Sequence, residues 1–259
     1  MQDFDVCSYD LRKHGESYER ENNRDAKGLS LEYLADDVVQ LVGLLNGRYG
    51  KDSSWNHPLL VGHSLGCNIA LEVGRKYPTL PSGFVLIDGG YIDLQNCFDG
   101  NWESCEHTCR PPDLSIPFND FVSTVRSFCP LLSHLGLNGM MENFYLHAES
   151  NCYKLKVSPD LYMEAIKDLW GCRPCERYCG QNFSSCKLMI LPSGREAFFS
   201  KDKEADIQRL ISALRDSNNG EDADRVRVWW FEDNNHDVHS ENAFGCARAI
   251  VENVDFFSW

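Results

Sequence analysis

The apolar positions of this chain fall into two alternating rhythms. Short unbroken apolar runs suit parallel strands buried on both faces, and between them apolar residues recur every three or four positions, as on one face of a helix. Phe4 to Tyr9 reads as a short buried strand. Leu31, Leu34, Val38, Leu41, Val42 and Leu45 then mark a helix, with Ser30 placed to cap it. Pro58 to Val61 is a second strand, and Asn68 to Tyr77, stopped by Pro78, a second helix. Phe84 to Ile87 is a third strand, ending at Asp88-Gly89-Gly90. Later in the chain, Leu188 to Leu191 and Val226 to Phe231 read as strands. Ile207, Leu210, Ile211 and Leu214 mark one further helix, and Ala243 to Phe257 another.

Between about Tyr91 and Asn182 this rhythm stops, replaced by prolines, cysteines and short helical patches such as Pro159 to Trp170. The economical fold is α/β, a doubly wound and mostly parallel sheet with a cysteine-rich insertion after the strand that ends at Asp88. On this reading residues 1–90 form the first part of the core, 91–181 a cap or lid, and 182–259 the second part of the core. Trp102, Phe121, Phe144 and Trp170 in the insertion either pack its core or roof an apolar pocket.

One turn in this frame carries chemistry. Gly62-His63-Ser64-Leu65-Gly66 lies between a strand and a helix, the setting of a G-x-S-x-G nucleophile elbow. The sharp turn forces Ser64 into a strained backbone conformation, and side chains at positions 62 and 66 are expected to collide with the neighbouring strand and helix. The Leu65 N–H, first in the helix, points to where an oxyanion would form.

Composition narrows the remaining classes. With 25 basic and 39 acidic residues the net charge is −14, which argues against a nucleic-acid footprint or an anionic membrane surface. No apolar stretch approaches the length of a membrane span. Met1 to Cys7 has no basic or apolar leader region, so no signal peptide is visible and a cytoplasmic location is the default. The expected partner is a small-molecule acyl substrate; nothing calls for a cofactor or a catalytic metal, and the sequence does not encode an oligomeric state.

Twelve cysteines are many for 259 residues, and Cys97, Cys105, Cys109, Cys129, Cys152, Cys172, Cys175, Cys179 and Cys186 all fall in one third of the chain. Three readings stay open. Disulfides could staple a poorly cored insertion. Cys105-x-His107-x-Cys109 could join Cys172-x-x-Cys175-x-x-x-Cys179 around zinc. The thiols could also simply be buried, as is simplest for Cys67.

Taken in order, Asp10 to Ser17, the elbow, Leu86 to Gly90 and Asn235 to His239 resemble the α/β-hydrolase fold family in its cap-bearing esterase, lipase and peptidase branch. Asp10 to Ser17 resembles the family's D-x-R-G-x-G-x-S loop, with Lys13 in place of a glycine. The family normally has three strands before the one read at Phe4 to Tyr9, and the loop after the third gives a second oxyanion donor. The resemblance therefore implies a hydrolase core incomplete at its N-terminus: a fragment, an incomplete gene model or a degenerate relative.

The resemblance also implies a triad in the order nucleophile, acid, histidine. Ser64 is the nucleophile and His236, in the polar turn after Val226 to Phe231, the base; His239 is the local rival and is expected to pack or be solvated. The acid usually follows the strand occupied here by Leu188 to Leu191, where Glu196 is the nearest carboxylate. Asp88 is the alternative, at a position some lipases use, and Asp233 reads as a turn residue. The function implied is cleavage of a small or medium carboxylic ester or related acyl compound through an acyl-enzyme. The rival is a non-catalytic relative that binds a partner or ligand.

Overall fold

The computed structural model describes residues 4–19, 28–50, 54–111, 115–179, 183, 186–194, 200–215 and 225–257. Its strands, in chain order, are β1 (Leu59–His63), β2 (Gly83–Ile87), β3 (Ser115–Pro117), β4 (Phe144–His147), β5 (Cys152–Leu155), β6 (Lys187–Leu191) and β7 (Val226–Val228). β1, β2, β6 and β7 make one parallel sheet in that order, with Leu59 beside Gly83, Gly83 beside Lys187 and Leu188 beside Val226.

β2 is buried along its whole length, as its unbroken apolar run predicts. Successive side chains go to opposite faces of the sheet. Phe84 and Leu86, with Leu188 and Ile190 of β6, pack under the helices Leu31–Tyr49, Leu65–Lys76 and Lys203–Arg215. Val85 and Ile87, with Met189 and Leu191, pack against Val238, Cys246, Ala249, Phe256 and Phe257. The sheet is thus covered on both faces, the doubly wound arrangement expected. Each fully buried Leu or Ile contributes about 1.5–3 kcal/mol relative to exposure. Ser30 caps the first long helix, its hydroxyl accepting the Tyr33 N–H at 3.4 Å.

Three elements depart from the sequence pattern. Phe4 to Tyr9 is not a buried strand; it is irregular and exposed. A strand needs a neighbour to take its backbone N–H and C=O groups, and among the described residues this run pairs with no sheet. Val226 to Phe231 pairs regularly only as far as Val228, and Phe231 rejoins through a single bridge to Ser193. Ala243 to Phe257 is two helices, Ala243–Glu252 and Val254–Phe257, broken at Asn253, whose amide donates to the Ala249 carbonyl at 2.8 Å.

Between β2 and β6 the chain builds short helices and a second sheet, antiparallel, in the order β3-β5-β4, which the sequence pattern did not reveal. This region has small apolar clusters of its own, one around Ile116, Phe121, Leu137 and Phe144, another around Leu94, Cys105, Met163 and Ile166. Polar ties join it to the main core. Glu164 and Asp168 accept the backbone N–H groups of Leu29 and Leu31 at 3.3 and 2.7 Å, the second a donor that the start of the helix Leu31–Tyr49 leaves open. Arg177 reaches Glu72, fully buried on the helix Leu65–Lys76, at 2.9 Å. The cysteines stand as thiols rather than disulfides.

A further tie bears on the site. The helix His134–Met141 lies on the short helix Val238–Glu241, with the Ser133 hydroxyl donating to the Ser240 carbonyl at 3.1 Å. A Cβ on Gly136 would overlap the Ser240 carbonyl oxygen, whereas one on Gly139, in the same helix, would meet nothing within 4 Å. Gly136→Ala is therefore expected to destabilise the fold by about 1–3 kcal/mol, the usual cost of overpacking. Gly139→Ala is expected to stabilise it by about 0.5–1 kcal/mol. Paired urea titrations check both.

Candidate active site

β1 enters the elbow and the helix Leu65–Lys76 leaves it. Ser64, between them, has φ 52° and ψ −116°, a conformation that L-residues rarely adopt. The turn is this tight because two glycines allow close approach. A Cβ on Gly62 would overlap the Gly66 carbonyl and come within 2.6 Å of the Cys67 nitrogen, and one on Gly89 would stand 2.6 Å from the Ser64 carbonyl oxygen. The expectation for position 66 does not hold, since a Cβ there would meet nothing within 4 Å. The second crowded position is Gly89, on the neighbouring strand's exit. Cys67 lies beneath the turn with its thiol donating to the Gly62 carbonyl at 3.1 Å; burial pushes that thiol well up from its ordinary range and makes it inert.

His236 comes to the elbow from the loop after β7. Its Nε2 is 3.0 Å from the Ser64 hydroxyl oxygen, and its Nδ1 is 2.8 Å from Oδ2 of Asp88. With Nδ1–H donating to the carboxylate, Nε2 presents a lone pair to the serine O–H. The Leu65 N–H opens the helix and has no acceptor within it. Glu196 lies outside the described residues. The carboxylate that meets His236 is Asp88, the alternative acid. Asp233 takes no part in this relay.

Asp88 follows β2 with φ 45° and is almost fully buried. Its Oδ1 accepts from the Tyr91 hydroxyl at 2.6 Å, the Ser193 N–H at 3.0 Å and the Lys203 ammonium at 2.7 Å. Its Oδ2 accepts from the Ser193 hydroxyl at 2.9 Å as well as from His236. Lys203, itself buried, also donates to the Ser193 hydroxyl at 2.7 Å. Burial opposes ionisation of Asp88, but the His236 hydrogen bond and the Lys203 charge outweigh it and hold the carboxyl well below the usual carboxylate range.

Sequence reasoning missed Tyr91, Ser193 and Lys203. Ser193 follows β6, the stretch where the resemblance put the acid, and here it donates to Asp88 instead. The one available signal was Asp88 itself, a carboxylate in front of two glycines at the end of a buried strand. His63 was also missed. Its Nε2 meets the His236 carbonyl oxygen at 2.9 Å, and its ring packs on His236 and His239 with centroids 4.7 and 4.1 Å away. Burial, then His239 and His236, push the His63 imidazole down to about 4.

A hydroxyl on a strained strand-to-helix turn, an imidazole on the loop after the last strand and a buried carboxylate define a class, the α/β hydrolases. The family model "Alpha/beta hydrolase family" matches residues 2–249, and the chain belongs to that family. Solved structures agree on the fold. An E-2-(acetamidomethylene)succinate hydrolase superposes with a TM-score of 0.66 at 18% identity, over 95% of this chain and 80% of its own. The peroxisomal α/β-hydrolase Lpx1 of Saccharomyces cerevisiae gives 0.69 at 15%, over 96% and 66%. An esterase of M. tuberculosis gives 0.59 at 16%, over 95% and 75%. No curated protein sequence matches the chain.

The Asp88–Lys203 pair has both side chains at 1% exposure. Lys203→Met leaves a buried carboxylate without its cation and is expected to cost about 3–5 kcal/mol in a urea titration. Acid sensitivity has a definite sign. The folded-state pKa of Asp88 lies below the ordinary 3.8, so its contribution is present above that value and is lost as pH falls towards the folded-state value. Between pH 5 and pH 2, unfolding free energies are expected to fall more steeply for the wild type than for Asp88→Asn.

Proposed function

We propose that this chain is a serine hydrolase that cleaves a small or medium carboxylic ester or a related acyl compound. The observation that carries the reading is the continuous relay Ser64–His236–Asp88, with contacts of 3.0 and 2.8 Å. Ser64 Oγ attacks the acyl carbon while His236 Nε2 takes its proton. The imidazolium, oriented and balanced by Asp88, returns that proton to the leaving alcohol as the tetrahedral intermediate collapses. His236 then activates a water to release the acid. The Leu65 N–H donates to the oxyanion in both steps. A serine at the elbow is a nucleophile for acyl transfer, and the esterase and hydrolase folds to which the chain is similar are consistent with that chemistry. The region between β2 and β6 acts as the cap of this site, held to it through the Ser133–Ser240 contact.

Labelling with a fluorophosphonate tests the assignment, with circular dichroism to verify folding of each variant. The wild type is expected to label and Ser64→Ala not at all. His236→Ala should label at background rate. Asp88→Asn should slow acylation by about 10⁴-fold, the scale seen when a triad acid becomes an amide. Glu196→Gln should label like the wild type. Equal labelling of Ser64→Ala overturns the proposal, and a large loss in Glu196→Gln with none in Asp88→Asn overturns the choice of acid.

A further inference from the structure

Three metal-ligating side chains converge beside the relay without belonging to it. His63 ends β1 directly before Ser64; Asp237 directly follows His236, and His239 stands two residues further on. Each offers one ligand atom, and these atoms lie within 4.8 Å of one another. His63 Nε2 is 4.0 Å from Asp237 Oδ1, and the His63 and His239 rings pack with centroids 4.1 Å apart. All three are reachable from solvent, with His239 exposed and the other two half-buried.

Two imidazoles and one carboxylate are the donor set that borderline divalent transition metals favour over magnesium or calcium. Zinc bonds of about 2.0–2.2 Å in tetrahedral geometry put ligand atoms roughly 3.3 Å apart. Coordination therefore requires the three ligand atoms, now within 4.8 Å of one another, to draw about 1 Å or more closer. Three protein ligands leave a fourth position for water, an open site rather than a sealed structural one. The net charge of −14 raises the local concentration of cations.

We propose that His63, Asp237 and His239 form a binding site for a divalent transition metal of the zinc class, and that its occupancy switches off the neighbouring relay. The coupling runs through one atom. His63 Nε2 donates its proton to the His236 carbonyl oxygen at 2.9 Å, which anchors the backbone of the base. A metal can bind Nε2 only once that proton has left and freed the nitrogen's lone pair. The proton transfers through solvent to Nδ1 of the same ring, so the protein loses no net proton. The hydrogen bond to His236 is then gone, and the coordinated Asp237 pulls the adjacent peptide towards the metal. Metal binding and a seated His236 exclude each other. The switching part rests on the reading of Ser64 and His236 as catalytic; the site itself does not.

The test uses the full chain, stripped with a chelator and dialysed, titrated with Zn²⁺ by calorimetry alongside His239→Ala and Asp237→Asn. One equivalent of zinc is expected in the wild type, weakened roughly tenfold or more in each variant. Co²⁺ bound in its place should give visible d–d bands without the near-ultraviolet charge-transfer band of thiolate ligation. In ¹⁵N-histidine spectra, one ring, assigned by its loss in His63→Gln, should change from the Nε2–H to the Nδ1–H form as zinc is added. Zinc should slow fluorophosphonate labelling of the wild type about tenfold or more, reversibly with chelator, and labelling of both variants much less. Equal zinc affinity in all three chains places the metal elsewhere, a thiolate band with cobalt places it on cysteines, and either result overturns the site. Zinc bound at the site with labelling unchanged overturns the switch. A folded wild type that never labels, yet binds the zinc that both variants lose and shows the tautomer change, upholds the site and overturns the hydrolase reading instead.

Discussion

The buried carboxylate of Asp88 is the point on which the rest of this structure turns. A lone ionised carboxylate in an apolar interior is costly, and a protein keeps one only by surrounding it with donors. Asp88 has such donors from four places in the chain: Tyr91 just past β2, Ser193 past β6, Lys203 at the start of its helix, and His236 past β7. The same contacts that satisfy the charge fix the ends of three neighbouring elements relative to one another. Stability and the proposed chemistry thus draw on one set of hydrogen bonds. Four of the bonds hold the acid in place, and the one from His236 selects the imidazole tautomer that can accept a proton from Ser64.

The elbow depends on an absence of atoms rather than on a bond. Ser64 can occupy its left-handed conformation because Gly62 lets the helix start close to β1 and Gly89 lets the end of β2 pass against the Ser64 backbone. Cys67 fills the space beneath, with its single S–H donating to the Gly62 carbonyl at 3.1 Å and the Ile87 carbonyl 3.4 Å away. The elbow and the acid are therefore parts of one packing arrangement, because Gly89 directly follows Asp88. Moving either strand end would disturb both Ser64 and the carboxylate.

The region between β2 and β6 shows how a stretch with little periodicity is still held in place. Its own apolar clusters are small, so its position relies on polar ties to elements that are themselves well buried, such as Glu72 with Arg177 and the start of the helix Leu31–Tyr49 with Glu164 and Asp168. One of its helices rests on Val238–Glu241, two residues beyond His236. Its packing is consequently transmitted to the loop that carries the proposed base.

Much of the architecture was legible in the chain itself. Strands buried on both faces must be apolar throughout, and amphipathic helices must repeat every three to four residues, so β1, β2, β6 and the helices that cover them declare themselves locally. The elbow does too, because glycine, serine and glycine between a strand and a helix express a steric requirement within five residues. Phe4 to Tyr9 misled for the complementary reason: apolar content suggests a strand, but a strand exists only where a second edge receives its hydrogen bonds. The acid and its shell were beyond local reading. Asp88, Ser193 and Lys203 lie more than a hundred residues apart at the extremes, and which carboxylate meets His236 depends on where β2, β6 and β7 end in space. The sequence alone determined which residues had the chemistry to act. Tertiary structure decided which of them meet, because a hydrogen bond of 2.8 Å is a property of strand ends brought side by side and of no single segment.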